Sequence, residues 1–345
     1  MNIPERMNHF NIPGVSITYF ENDVISLSKH FGTLEAGTGR AVDENSIFHA
    51  CSISKMITAL CVLKLAQDGD LDLHKDVNDY LTSWKIPGSN LTAEKKVTLA
   101  NLLAHQGGFY DCEGSFSPYR HGDDIPSTLD TLKGTTRYNP EEVHVKYTPE
   151  ADCEYSDGGY CVISQVMKDA IGETVPRAAK RLVFDPLGLK RTFFWEIGKE
   201  SPGKVNLSDC AAGHDSSGEI VDQIRAQYPN IEGAALWTTT DELARIVIDI
   251  IKSYNGAGGL ILSQETARLM LTPYGCSNDT GLGVLLDKDE KGKPYFFSQG
   301  WGIGMQCKLR AYHENQNGVI VMTNSEPGIE QDAALVGEVI NHICE

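Results

Sequence analysis

The chain has 345 residues, of which 41% are hydrophobic, 8% aromatic and 22% charged, and its formal net charge is −17. This length fits one large domain, or a core domain with a second one inserted into it. The acidic excess argues against nucleic acid or an anionic membrane as a partner, and it disfavours anionic substrates.

The N-terminal part of the chain has the pattern of a β-hairpin. Gly14–Phe20 alternates apolar and polar side chains, a turn is expected at 21–23, and a second extended run covers 24–32.

The C-terminal part has the same β-rich character. Four short runs predict strands, and turns are expected at Lys291–Gly292 and Asn317–Gly318. These runs are 281–287, 293–301, 305–313 and 318–324. The last residues, 330–345, form an amphipathic pattern that predicts a closing helix of about four turns.

Between these ends the sequence is helical and rich in loops. We therefore predict an α+β fold, in which N- and C-terminal segments form one antiparallel sheet flanked by helices. The predicted domains are a sheet domain, residues 1–72 and 229–345, and a mostly helical inserted domain, residues 73–228. The cleft between them is the expected place for an active site.

The sequence favours a reduced, cytoplasmic protein. Its start has no apolar signal-peptide core, and no later stretch is long and apolar enough for a membrane span. The nine cysteines are scattered and contain no C-x-x-C pair. The sequence leaves the oligomeric state open.

The pattern Ser-x-x-Lys occurs three times. Ser26–Lys29 lies in the second predicted strand, where residues three apart point to opposite faces. Ser201–Lys204 contains Pro202 and Gly203 and is predicted to be a loop. Only Ser52–Lys55 begins a predicted helix, which Gly69 can end, so that both side chains share one face.

The pair Ser52 and Lys55 combines a nucleophile with a base. Burial among Ile53, Met56 and Ile57 should lower the pKa of Lys55 until it can accept a proton. The backbone N–H of Ser52, unpaired at a helix start, can form half of an oxyanion hole. The alternative is that Ser52 only caps the helix and Lys55 extends its ammonium to solvent.

Further motifs follow in order. Residues 97–109 read "VTLANLLAHQGGF", the triplet 155–157 reads Tyr-Ser-Asp, and 298–301 reads Ser-Gln-Gly-Trp. Together with "FDPLGLKRTFF", "AAGHDSSG" and "EGAALWTTTDELARI", they make the sequence resemble the serine β-lactamase and penicillin-binding-protein superfamily, in its class C β-lactamase-like branch. That branch also holds esterases, D-aminopeptidases and DD-peptidases.

The resemblance implies a serine acyl hydrolase that needs no metal or organic cofactor. Ser52 would be the nucleophile, and Lys55 and Tyr155 together the general base, with the lysine cation lowering the pKa of the phenol. The backbone N–H groups of Ser52 and Trp301 would form the oxyanion hole. The substrate-binding residues implied by the other motif positions are Asp157, Ser298, Gln299 and Gly300.

Two departures from the family pattern matter most. Asp157 replaces an asparagine, and it either holds Lys55 protonated or binds an ammonium group on the substrate. Ser298 replaces the lysine or histidine that helps to bind a substrate carboxylate. Both changes make the site less positive.

The expected activity is therefore hydrolysis of a small ester, amide or D-amino-acid peptide. One alternative is a true β-lactamase or DD-peptidase. Another is a binding or sensor protein that kept the fold and lost turnover. Two neighbouring residues are expected to have structural roles, His105 as a hydrogen-bonded core residue and Cys51 as part of the core.

Overall fold

The computed structural model describes residues 1–199, 205–222 and 224–344, and the predicted loop at Ser201–Lys204 lies outside them. Its described strands are β1 (Gly14–Glu21), β2 (Val24–Gly32), β3 (Phe48–Cys51), β4 (Phe193–Phe194), β5 (Leu236–Thr238), β6 (Leu285–Lys288), β7 (Pro294–Gly302), β8 (Met305–Tyr312) and β9 (Asn317–Thr323). Six of them form an antiparallel sheet in the order β2-β1-β9-β8-β7-β6. The prediction that both ends of the chain build one antiparallel sheet is confirmed.

The N-terminal hairpin forms where the sequence predicts it. Asn22 and Asp23 connect its strands with φ angles of 50° and 63°. Such left-handed turn residues match the natural twist of a hairpin, and asparagine and aspartate tolerate them well. In β2, Ser26–Lys29 is part of the strand, as expected.

One predicted turn is wrong. Asn317 and Gly318 belong to β9 and pair with Tyr312 and Ala311 of β8, so the turn lies at 313–316 instead. Gly318 is needed for close packing, because a Cβ there would lie 2.6 Å from the Phe20 ring. Position 318 is therefore a glycine because the core leaves no room for a side chain there, and not because the chain turns at this point.

The other three strands form a small sheet in the order β3-β5-β4. β3 ends one residue before Ser52, and β4 lies in the region predicted as the helical insert. Phe193 and Phe194 of β4 pair with Trp237 and Leu236 of β5, so this region contributes a strand to a sheet built with the flanking parts of the chain.

Short and long helices surround the sheets. The described α-helices are α1 (Ile3–His9), α2 (Ser54–Gln67), α3 (Asn90–Glu94), α4 (Leu99–Leu103), α5 (Thr128–Leu132), α6 (Asp157–Val166), α7 (Val175–Ala179), α8 (Ile231–Ala234), α9 (Thr240–Tyr254), α10 (Gln264–Met270) and α11 (Leu335–Cys344). Two π-helical turns (Met167–Ile171 and Lys180–Phe184) and two 3-10 turns (Val77–Asp79 and Leu207–Asp209) complete them. In the described ranges no helix is both long enough and apolar enough to span a bilayer.

The large sheet is covered on both faces. Val319 and Val321 of β9 pack in the cluster that contains α11, whereas Ile320 and Met322 pack in the main core. This period of two places successive side chains on opposite faces of the strand. The main core also contains α9, which packs against β1 and β9, so the sheet lies between α11 on one side and α9 on the other.

Helix α2 is buried almost all round, as its sequence predicts. Ile53, Met56 and Ile57 are fully buried, and Gly69, with a φ of 86°, follows the end of the helix. The helix begins at Ser54, two residues after Ser52. Ser52 therefore lies in the turn that leads from β3 into the helix.

The C-terminal helix is shorter than predicted. It begins at Leu335, whereas 330–334 forms turns. The Gln331 side chain holds this segment against the sheet, since its Nε2 donates hydrogen bonds to the carbonyl oxygens of Gly300 (2.9 Å) and Cys307 (2.8 Å). Because these hydrogen bonds hold the Gln331 side chain against the sheet, Gln331 does not lie on the polar face of a helix as the sequence pattern predicts.

Candidate active site

A cavity of about 280 Å³ opens beside the start of α2. Its walls come from the turn before α2, the segment before α6, strands β6 and β7, and the turns before α11. Six of the residues predicted for the site line it, namely Ser52, Lys55, Tyr155, Ser298, Gln299 and Trp301. The fold thus brings together residues that lie up to 249 positions apart in the chain (52 to 301).

Ser52 occupies a strained turn. Cys51 before it has a φ of 47°, and the N–H of Ile53 donates to the Ala50 carbonyl (3.0 Å). Non-glycine residues in this conformation are uncommon and cluster at functional sites. The Ser52 N–H has no hydrogen-bond acceptor in the described part of the chain, so it is available to a ligand.

Lys55 is buried, but its surroundings differ from those expected. Its Nζ donates to Asp157 Oδ1 (2.6 Å) and to the Gly233 carbonyl (3.1 Å), and it lies 4.7 Å from the centre of the Tyr155 ring. Burial by itself lowers the pKa of Lys55, but the negative charge of Asp157, and that of Tyr155 whenever its phenol is ionised, raise it above its ordinary value. The prediction of a lowered lysine pKa is therefore wrong, because the sequence does not reveal this ion pair.

The Tyr155 side chain reaches both partners. Its hydroxyl lies close enough to the Ser52 and Lys55 side chains for both to act on its pKa, while half of the residue (50%) is exposed in the cleft. Burial of the hydroxyl raises the pKa of Tyr155, Lys55 lowers it, and the charge of Asp157 raises it, so that it ends above the usual value. The expectation of a lowered phenol pKa is also wrong, and the resting site holds a lysine cation and a neutral phenol.

The Asp157 side chain is partly buried (21% exposed) and is paired with Lys55. Its Oδ1 accepts hydrogen bonds from Lys55 and from Asn230 Nδ2 (2.7 Å), and it is absent from the cavity wall. Of the two roles expected for this residue, the geometry fits the one in which it keeps Lys55 protonated. It does not fit an ammonium-binding role.

Two residues fix the segment that carries Tyr155. Asp111 accepts hydrogen bonds from the Ser156 hydroxyl (2.9 Å) and the Asp157 N–H (2.6 Å), at the start of α6. His105 Nδ1 accepts the Ser156 N–H (3.2 Å), and its ring lies 4.4 Å from that of Tyr155. Sequence reasoning missed Asp111, whose loop carries no motif signal.

His105 is hydrogen-bonded, as predicted, but it also lines the cavity. Burial lowers its pKa to about 3, and the Lys55 cation acts in the same direction. The imidazole is therefore neutral at physiological pH, and its acceptor nitrogen is already used. It can position Tyr155, but it has no free proton to donate from that nitrogen.

The Ser-Gln-Gly-Trp motif at 298–301 forms another wall of the cavity. Ser298 and Gln299 line the cavity, whereas Gly300 lies behind it. A Cβ on Gly300 would be 2.3 Å from the Ala50 carbonyl oxygen and 2.8 Å from Cys51 Cβ, so only glycine lets β7 approach the end of β3 this closely. Gly300 thus brings the two walls together, which differs from the substrate contact expected for it.

The turns before α11 add two residues that the sequence did not indicate. Glu330 and Gln331 both line the cavity. They were hidden because the pattern of 330–345 predicts a continuous helix. Cys51, by contrast, is buried in the core as expected, with its Sγ 3.5 Å from His49 Nδ1.

The sequence is similar to those of several known proteins. Residues 2–340 match the family model described as Beta-lactamase. A penicillin-binding protein 4 from Amycolatopsis lactamdurans is 28% identical over 188 residues, which are 53% of this chain and 45% of that protein. A putative D-alanyl-D-alanine carboxypeptidase from Salmonella enteritidis PT4 is 24% identical over 318 residues, which are 86% of this chain and 70% of that protein.

Solved structures share the fold. The D-amino acid amidase from Ochrobactrum anthropi SV3 superimposes with a TM-score of 0.78 at 17% identity, covering 99% of this chain and 98% of that one. The octameric penicillin-binding protein homologue from Pyrococcus abyssi gives a TM-score of 0.74 at 20% identity, covering 94% of this chain and 72% of that one. The chain spans less than half (45%) of the length of the Amycolatopsis relative.

Proposed function

This chain belongs to the Beta-lactamase family, and we propose on that premise that it is a serine hydrolase that forms an acyl-enzyme on Ser52. Its substrate is a small ester, amide or D-amino-acid peptide. The observation that carries the proposal is the contact of the Tyr155 hydroxyl with both Ser52 and Lys55 at the wall of a cavity. A nucleophile and a base within hydrogen-bonding reach are the minimum that acyl transfer requires.

In the proposed mechanism Tyr155 moves the protons. The Ser52 oxygen bonds to the substrate carbonyl carbon while its proton passes to the Tyr155 phenolate, and Tyr155 then gives that proton to the leaving group as its bond to the carbonyl carbon breaks. Water then bonds to the carbonyl carbon of the resulting ester and gives a proton to Tyr155, which passes it to the Ser52 oxygen as the ester bond breaks, so that the acid is released and Ser52 is restored. The N–H groups of Ser52 and Trp301 hold the carbonyl oxygen as its negative charge develops.

The protonation states of Lys55 and Tyr155 determine which fraction of the enzyme is active. Asp157 keeps Lys55 cationic, so Lys55 cannot be the base in the resting enzyme, and that duty falls to Tyr155. Because the pKa of Tyr155 is raised, its phenolate is a minor form at neutral pH. We therefore expect an enzyme that works best under alkaline conditions.

A true β-lactamase or DD-peptidase fits the cavity less well. Those substrates carry a carboxylate, and Ser298 supplies no cation for it. Lys55 is the one lysine or arginine on the cavity wall within the described chain, and it is paired with Asp157.

A binding protein without turnover is the second candidate. The observation that favours it is the resting pair of a cationic Lys55 and a neutral Tyr155, because neither group can then accept the Ser52 proton. Such a protein would still hold a ligand in the cavity.

Covalent labelling separates these candidates. The protein and its Ser52→Ala variant are incubated with a fluorophosphonate probe and with a labelled penicillin, and the modified residue is found by mass spectrometry. Ser26→Ala, in the Ser-x-x-Lys of strand β2, is the matched control. Turnover and labelling that need Ser52 support the enzyme; a stable penicillin adduct without turnover supports a sensor; no labelling at Ser52 contradicts acyl transfer.

We also propose that the protein resides in a reducing compartment, the cytoplasm. All nine cysteines, each within the described residues, are free thiols, and several of them are buried in the core. Proteins of oxidising compartments more often pair such residues. Cell fractionation with an antibody against the native protein tests this location.

A further inference from the structure

Two buried cysteines lie next to each other behind the nucleophile. Cys51 precedes Ser52 at the end of β3, and Cys307 lies on β8. A Cβ placed on Gly300 would lie 2.8 Å from Cys51 Cβ and 2.7 Å from Cys307 Sγ, so both side chains border the same small space. Each thiol is close enough to act on the pKa of the other. The proposed hydrolytic mechanism uses neither of them.

A histidine completes this cluster. The His49 ring stacks against the rings of Tyr228 and Trp237, which fix its orientation. Its Nε2 donates to the Ala234 carbonyl, because a carbonyl oxygen can only accept. The neutral ring therefore carries no proton on Nδ1, and this atom lies 3.5 Å from Cys51 Sγ. Nδ1 is thus placed to take the proton of the Cys51 thiol.

The two sulfurs differ in their proton affinity. Burial by itself raises the pKa of the Cys51 thiol, but the Cys307 thiol and the His49 ring outweigh burial and lower that pKa below its ordinary value. Burial raises the pKa of Cys307, and Cys51 acts in the same direction. The thiolate is the form of cysteine that reacts with oxidants, and a second thiol beside it can then form a disulfide.

A small oxidant reaches Cys51 most directly through Gly302. A Cβ on Gly302 would lie 2.9 Å from Cys51 Sγ, so the sulfur lies directly beneath this residue. Gly302 has no side chain and is partly exposed, and its neighbours Trp301 and Ile303 are exposed. One layer of backbone, close to the turn between β7 and β8, therefore separates the sulfur from solvent. Local opening at such a turn costs far less than global unfolding.

We propose that Cys51 and Cys307 are an oxidation site, at which hydrogen peroxide converts the two thiols into a reversible disulfide beside the nucleophile. The Cys51 thiolate bonds to one peroxide oxygen while the O–O bond breaks, which gives a sulfenic acid and a hydroxide. The hydroxide takes the proton held by His49 and becomes water. The Cys307 sulfur then bonds to the Cys51 sulfur while the S–O bond breaks, and the Cys307 proton leaves with the hydroxyl as a second water. Two thiols are oxidised, and one peroxide is reduced to two waters.

The disulfide has a consequence for Ser52, the next residue in the chain. Cys51 has a φ of 47° in the turn that carries Ser52, and the Cys307 thiol donates to the Ala50 carbonyl (3.1 Å). Disulfide formation removes this donor and draws Cys51 toward β8, which displaces the Ser52 hydroxyl. A misplacement of about 1 Å can cost about a hundredfold in rate. This consequence rests on the proposed function of Ser52, whereas the disulfide itself does not.

Mass spectrometry of the oxidised protein tests the disulfide. The folded protein is treated with hydrogen peroxide, its remaining thiols are blocked under denaturing conditions, and it is digested with trypsin. The expected peptides 41–55 and 292–308 contain one cysteine each, so a joined pair identifies the bond directly. We expect this pair in the wild type and in Cys61→Ala, which removes an equally buried thiol from α2, and we expect dithiothreitol to separate it. In Cys307→Ala, Cys51 should instead become a sulfinic or sulfonic acid.

Two results of this experiment would overturn the inference. One is oxidation of Cys51 in the wild type without the joined pair. The other is a Cys51 that stays reduced at peroxide concentrations that already modify Cys276, an exposed thiol. Neither result depends on turnover.

An activity measurement separates this inference from the proposed function. The Ser52-dependent hydrolysis of p-nitrophenyl acetate is measured before oxidation, after it and after dithiothreitol. We expect the wild type and Cys61→Ala to lose at least about tenfold and to recover, whereas Cys51→Ala keeps its own starting activity. Unchanged hydrolysis in the cross-linked wild type, or an equal loss in Cys51→Ala, overturns the effect on Ser52. A protein that never hydrolyses the ester contradicts the proposed function, while the joined peptides still support the disulfide.

Discussion

Replacing Asp157 by asparagine should move the activity of this protein toward neutral pH. The Asp157 carboxylate lies 2.6 Å from the Lys55 ammonium and raises the pKa of both Lys55 and Tyr155. Asparagine has nearly the same shape and can still accept hydrogen bonds from Lys55 and Asn230, but it carries no charge. The substitution therefore removes an electrostatic effect and keeps the packing.

The direction and size of the effect follow from the proton that is transferred. Because the Tyr155 phenolate is the active form, kcat/KM rises as the pH passes through the Tyr155 pKa, and a raised pKa delays that rise. A charge this close shifts a pKa by about 1–3 units. The rising limb of the profile should move down by about that much, and kcat/KM at pH 7 should increase about tenfold to a hundredfold, since the less basic phenolate offsets part of the gain.

The assay is a profile of kcat/KM from pH 5 to pH 10 on a p-nitrophenyl ester, with the rate of Ser52→Ala subtracted. Asp157→Glu keeps the charge and is the control, and thermal unfolding shows whether each variant is folded. A limb that stays in place, or that moves to higher pH in Asp157→Asn, would refute the assignment of Tyr155 as the base under the influence of Asp157.

Three further substitutions test the geometry of the site. Tyr155→Phe removes the proposed base and should lower kcat at least about a hundredfold, with a smaller change in KM, on the same ester. Gly300→Ala places a Cβ 2.3 Å from the Ala50 carbonyl oxygen and should cost about 1–3 kcal/mol in thermal unfolding, together with most of the activity, because it separates the walls. Gln331→Ala removes the hydrogen bonds to the carbonyls of Gly300 and Cys307 and should cost about 1–3 kcal/mol in denaturant unfolding.

Matched controls are present in the chain. Gly39→Ala adds a Cβ that meets nothing within 4 Å, so its stability should stay unchanged. Gln264→Ala loses only an exposed bond to the Tyr254 carbonyl (3.3 Å). Equal losses in a variant and its control would contradict the contact that the variant tests, and full kcat in Tyr155→Phe would exclude that residue as the base.

The sequence allowed the sheet and six of the residues that line the cavity to be predicted, because both depend on local patterns. Alternation of side chains marks β1, and the turn at Asn22–Asp23 marks the hairpin. The apolar run after Ser52 marks α2, whose burial follows directly. Each of these signals lies within about 15 neighbouring residues, where propensity and periodicity are informative.

The predictions that were wrong concern residues whose roles depend on contacts between distant segments, which local patterns do not reveal. Gly318 reads as a turn residue, but its small size serves the ring of Phe20, nearly 300 positions away in the chain. The turns at 330–334 read as helix, but Gln331 ties them to β7 and β8. The cavity residue Glu330 was missed for this reason.

The structure separates the effects of two departures from the family pattern, Asp157 and Ser298. At the level of sequence, Asp157 and Ser298 make the same kind of change, because each makes the site less positive. In the structure they lie in different surroundings: Asp157 is paired with Lys55 and is not part of the cavity wall, while Ser298 lines the cavity together with Glu330. The first therefore acts on proton affinity and the second on the charge of the substrate. Because one effect appears in the pH profile for every substrate and the other in the ratio between charged and neutral substrates, the two can be measured independently in the same protein.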